Sequence, residues 1–184
     1  LDANSGHKRW MIHLFEKADC KVTFVDYPLA PETKVVETIE MVVHTYQFLT
    51  GRFPEDNFVL MGDSAGGGLA LVLAQYLRDH HFGRRPGKLI LYSPWVRPDM
   101  QNPALPDLAE KDLILDIDEL EKSARAYAGE HDLSHPFLSP YYASCDDLGE
   151  IHVFYGSDEL LAPDIRLLNE KCQQENVHSA FCCY

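Results

Sequence analysis

Apolar positions along this chain follow two alternating rhythms. Short runs rich in β-branched and aromatic residues recur at 21–26, 58–61, 89–92 and 151–155, and again from Ala180 onward. Each reads as a strand. Between them lie helix-periodic stretches. Val35, Ile39, Val42, Tyr46 and Leu49 share one helical face, with Thr33 as expected N-cap and Gly51 as expected stop. Residues 69–77 are apolar on nearly all sides, the mark of a buried helix. A further helix is expected over 164–175. The unbroken apolar run at 58–61 suits a parallel sheet covered on both faces. Strand and helix in alternation predict an α/β fold built on a mostly parallel, doubly wound sheet.

Between Trp95 and Gly149 the rhythm loosens into prolines, acids and one helix-like stretch near 118–128. We read about 96–149 as an excursion packed over the sheet inside a single domain spanning 1–184, since a crossover tolerates a long insertion. A length of 184 residues supports one real core. The formal net charge of −13 argues against nucleic acid or an anionic membrane as partner. No apolar run approaches the roughly 18 residues of a membrane span. The 5 cysteines (Cys20, Cys145, Cys172, Cys182, Cys183) form no C-x-x-C pair. They read as reduced thiols of a cytoplasmic protein, with no metal site. The chain opens Leu1-Asp2-Ala3-Asn4, without an initiator Met or a signal-peptide pattern. That first residue is therefore not read as the natural start, and an export signal ahead of it stays open.

Chemistry concentrates at Gly62-Asp63-Ser64-Ala65-Gly66, a G-x-S-x-G pattern between an apolar strand and an apolar helix. Strand, sharp turn and helix together form a nucleophile elbow with Ser64 at its apex. Such a turn requires small residues two places either side, here Gly62 and Gly66. Gly67 extends the elbow. The Ala65 N–H, at the positive end of the following helix, is the expected oxyanion donor. A phosphate loop or dinucleotide fingerprint fails, because Leu71 stands at the third required glycine and no Gly-Lys-Ser/Thr follows. A serine nucleophile needs a base oriented by a carboxylate. The loop after the 151–155 strand offers two adjacent acids, Asp158 and Glu159, while Asp164 after Pro163 reads as a helix cap.

Gly-Asp-Ser-Ala-Gly-Gly-Gly-Leu-Ala at 62–70 resembles the elbow of the hormone-sensitive-lipase-like esterases of the α/β-hydrolase superfamily. Asp26-Tyr27-Pro28-Leu29-Ala30-Pro31-Glu32 resembles their D-Y-R-L-A-P-E turn. Ser93-Pro94-Trp95 resembles their S-P-W, and Ser139-Pro140 the S-P before the acid strand. The likeness implies a sheet of the α/β-hydrolase type, incomplete at both ends, with an exposed, aggregation-prone edge or face. Its acid pattern, G-x-x-D/E-x-L, starts at Gly156 and selects Glu159, with Asp158 as the alternative. It implies a carboxylic-ester hydrolase acting on a small-molecule ester through an acyl-enzyme, with no cofactor. Trp95 lines the pocket or packs the core.

Two parts of that family's machinery are missing from the sequence. No H-G-G-G oxyanion motif is present, and no histidine follows the last strand. His178 precedes that strand and reads as an edge residue. His131 and His135 come before the acid, and His80 and His81 end the elbow helix. His7, His13 and His44 fall in helical segments and His152 in a strand. None reads as the base. The chain is accordingly expected to be an inactive internal piece of a longer esterase. The alternative is a catalytically inactive hydrolase fold used as a binding module.

Overall fold

The computed structural model describes residues 5–184; the opening Leu1 to Asn4 lies outside the described residues. Four of the apolar runs pair as strands: β1 (Val59–Asp63), β2 (Lys88–Tyr92), β3 (Glu150–Tyr155) and β4 (Ser179–Cys183). They form one sheet in the order β1-β2-β3-β4, every neighbouring pair parallel. Helices α1 (Ser5–Lys17) and α2 (Val35–Arg52) precede the sheet. Helix α3 (Ala65–Asp79) links β1 to β2, and α6 (Ala162–Gln174) links β3 to β4. The β2–β3 connection carries α4 (Leu105–Leu108), α5 (Ile117–Ala128) and a 3-10 turn at Pro140–Tyr142.

The pleat sorts the side chains. Leu89 and Leu91 of β2 and Ile151 and Val153 of β3 are fully buried under α3, α6 and the excursion. Each such side chain contributes about 1.5–3 kcal/mol of burial. The alternate residues face the other way, where Tyr92 stacks on Phe154 and meets Trp10 of α1 edge-on, with centroids 5.2 Å apart. That second face is only half covered among the described residues, so the expectation of full cover on both faces is corrected. Helix α3 is apolar all round because two clusters share it. Ala70, Leu71 and Ala74 pack toward the sheet, whereas Val72, Leu73 and Leu77 pack against Val35, Ile39 and Val42 of α2.

Three local expectations need correction. Residues 21–26 are not a strand: they have no ladder partner among the described residues, and Val22 and Phe24 are exposed. Apolar character alone does not bring a second backbone within the ~4.8 Å a ladder needs. Helix α2 begins after Lys34, not Thr33, and runs through Gly51 to Arg52, because burial of Val35 and Tyr46 outweighs one glycine. Asp164 does not cap α6, whose N-cap position is Leu161. It is instead buried, accepting from Asn102 Nδ2 at 2.7 Å and from Arg97 Nη1 at 3.2 Å. Burial pushes its carboxyl up, opposed by the Asn102 and Arg97 contacts. Arg97 also reaches Asp99, so this network fastens the start of the excursion to α6.

Candidate active site

Ser64 stands where β1 turns into α3, with φ 51° and ψ −121°. A non-glycine residue at positive φ stores strain that its surroundings must hold. Three backbone hydrogen bonds do so. The Ser64 N–H donates to the Tyr92 carbonyl at 2.9 Å, and the Ser64 carbonyl accepts from Gly68 N–H at 3.1 Å and Trp95 N–H at 2.9 Å. The elbow is thus stitched to the turn after β2. The next step along the rim repeats the stitch, Ser93 N–H donating to the Phe154 carbonyl at 2.8 Å.

Crowding in the elbow falls partly where expected. A Cβ on Gly62 would lie 2.3 Å from the Gly66 carbonyl oxygen. At Gly66 it would meet only the Tyr27 hydroxyl, at an ordinary 3.7 Å, so a methyl has room there. Two further tight approaches are at Gly68, whose Cβ would sit 2.4 Å from the Trp95 carbonyl oxygen, and at Gly67, 2.9 Å from Pro94 Cβ. G-x-S-x-G names neither residue, although three consecutive glycines at a helix start were their signal. Ala65 opens α3, so its N–H belongs to the first turn, which lacks intrahelical acceptors. Asp63 Oδ2 pairs with His7 Nε2 of α1 at 3.1 Å. Burial, then the Asp63 charge, push the Tyr27 phenol up.

The two adjacent acids have different surroundings. Asp158 is 69% exposed and lies 3.9 Å from Lys111 Nζ. Glu159 turns inward over Gly156, and its Oε2 accepts from Ser93 Oγ at 2.8 Å. Its Oε1 is buried with no hydrogen-bond partner among the described residues. Burial raises the Glu159 carboxyl above its ordinary value, with Asp112 adding to the rise and bonds from Ser93 and the Gly156 N–H opposing it. Ser93, at φ 42°, therefore holds the inward acid; the Ser-Pro-Trp pattern marked the residue without revealing that task. Trp95 packs against the sheet core.

No hydrogen bond between described residues joins an imidazole to Ser64 or Glu159. His178 is 82% exposed beside Glu150, and His80 stacks on Tyr76. His131 lies tilted against His135, which meets Phe137 edge-on. A cavity of about 530 Å³ is lined by Asp99, Gln101, Arg125 and His131 but by neither Ser64 nor Glu159. The elbow and the acid loop, not cavity size, locate the candidate chemistry.

A family model described as alpha/beta hydrolase fold matches residues 2–184. The chain belongs to the α/β-hydrolase fold family. Within it, this α/β-hydrolase chain is 32% identical to an esterase of Acinetobacter venetianus over 187 residues, covering 100% of the chain and 61% of the relative. It is 28% identical to an acetyl-hydrolase of Streptomyces hygroscopicus over 171 residues, 92% of the chain and 57% of the relative. A crystal structure of an esterase from the bacterial hormone-sensitive lipase family matches 99% of the chain and 62% of that structure, with TM-score 0.91 and 28% identity. This α/β-hydrolase chain thus spans about three fifths of the length of the relatives it matches.

Proposed function

We propose that the chain carries the nucleophile and the acid of a serine carboxylic-ester hydrolase for small or medium acyl esters. One observation carries the reading. Ser64 is strained upward on its elbow, and across the same carboxyl rim Glu159 keeps one oxygen anchored by Ser93 and the other buried without a partner. A buried, unpaired carboxylate oxygen is costly, and a histidine N–H would satisfy it. In this reading an imidazole takes the Ser64 proton as Oγ attacks the ester carbonyl. The Ala65 N–H receives the developing oxyanion. The alcohol leaves with the proton from the imidazolium, and water attacks the acyl-Ser64 ester to regenerate the hydroxyl. Glu159 orients the ring and stabilises its cation. The base, and any further oxyanion donors, would come from residues other than 1–184. Losing a triad member costs up to about 10⁶ in kcat, so the 184-residue polypeptide alone is expected to be inactive.

The test uses the complete gene product, p-nitrophenyl esters of graded acyl length, peptide substrates and a fluorophosphonate probe. Ester turnover and labelling that vanish in Ser64→Ala support the reading. The second reading, an inactive binding module, is favoured by the absence of any described imidazole at Glu159. It gains if Ser64 stays unlabelled and no ester turns over.

A further inference from the structure

The acid loop is gripped from outside its own crossover. Asp112, in the excursion, gathers three backbone N–H groups on one carboxylate. Ile114 and Leu115 donate to Oδ1, each at 2.9 Å, and close its own turn. Leu160, the residue after Glu159, donates to Oδ2 at 2.8 Å. Lys111 and Asp158 make a second contact between the same two segments. That exposed pair adds little, whereas an N–H bond to a charged carboxylate is a strong one. Burial alone would raise the Asp112 carboxyl, but the three N–H bonds outweigh it and hold the group low, so it stays charged.

The tip of this turn is unpacked, Leu113 and Ile114 being 94% and 91% exposed, while Leu115 at its end packs against the core. Leu160 on the other side is 1% exposed, so its N–H would lose its charged partner in a part-buried place if Asp112 were removed. Glu159 shares a peptide bond with that N–H.

We infer that Asp112 is a positioning residue for the candidate acid: its bond to the Leu160 N–H latches the acid loop to the excursion and fixes the Glu159 carboxylate relative to Ser64. The inference rests on the esterase reading, since without it there is no acid to position. Asp112 touches no reacting atom. It acts chiefly through the backbone, its charge adding only the last of the effects that raise the Glu159 carboxyl, and its loss should appear as misplacement of Glu159 rather than as loss of substrate contact.

Asp112→Ala, Asp112→Asn, Leu113→Ser and Glu159→Gln are compared in the complete gene product with p-nitrophenyl acetate. Asp112→Ala is expected to lower kcat about 10- to 100-fold, the scale of a catalytic group displaced by about an ångström. KM should stay within about twofold, because ground-state binding is untouched. Asp112→Asn offers one acceptor oxygen for three donors and should fall between Ala and wild type. Leu113→Ser should keep the wild-type rate. Hydrogen exchange should quicken at Leu160 in Asp112→Ala while β2 and β3 stay protected. Wild-type kcat in both Asp112 variants alongside an inactive Glu159→Gln would overturn the latch and leave the esterase reading standing. Exchange quickened throughout β2 and β3 would also overturn it, in favour of a merely structural role. An active Glu159→Gln removes the acid assignment itself, and the latch with it.

Discussion

At the scale of single residues, the fold discriminates between neighbours of identical charge. Asp158 and Glu159 are adjacent in sequence, yet one pairs with a lysine at the surface and the other carries a buried, unpartnered oxygen. Stability is predicted to suffer for that. The Glu159 carboxyl is raised in the fold, so near and above the ordinary glutamate range the native state holds more proton than the unfolded chain. Stability then falls as pH rises through that window. Glu159→Gln should therefore melt higher than wild type at pH 7, and the gap should close once acid protonates the wild-type carboxyl. Calorimetry across pH checks this; a lower melting temperature for the variant at pH 7 contradicts it. From sequence the choice between the two acids came only through a family pattern. The Ser93 hydroxyl that separates them lies 66 residues away along the chain.

At the scale of elements, the strand–elbow–helix unit was readable because strain, glycines and apolar runs coincide within a few residues. The first strand candidate was not, since 21–26 has the right composition but no pairing partner. Composition reports a preference, while a ladder needs a neighbour. The glycines give a sharp contrast to measure. Gly66→Ala has room and gains helix propensity, so it should be neutral or stabilising by up to about 1 kcal/mol. Gly68→Ala drives a methyl into the Trp95 carbonyl and should cost about 1–3 kcal/mol. Urea denaturation of both variants decides; equal effects would mean that the turn after β2 yields freely.

At the scale of the whole molecule, parallel order and burial of β2 and β3 followed from the alternating rhythms, and the comparisons agree on the α/β-hydrolase fold. How the long excursion is seated could not be read. Beside its buried apolar residues, part of its fastening is a polar network joining Arg97, Asp99, Asn102 and Asp164, residues that periodicity treats as surface. Arg97→Ala would leave Asp164 buried without its cation and should destabilise by about 3–5 kcal/mol. An Arg97→Met, Asp164→Leu pair should recover much of that loss. If chemical denaturation finds Arg97→Ala harmless, the excursion is held by its apolar residues alone.

Ser64 follows β1 and Glu159 follows β3, with β2 between them. The strands beneath them are therefore two steps of the ladder apart, about 10 Å, a base interval set by peptide groups on which the Ser93 and Asp112 side chains then act. Insertions or exchanges in the connecting segments, away from Asp112 and Ser93, can reshape what is admitted above the rim, yet the strand interval beneath the two groups does not change with them. A scaffold with that property lets the surface above the rim drift across descendants while the strand interval beneath the candidate nucleophile and acid is inherited intact.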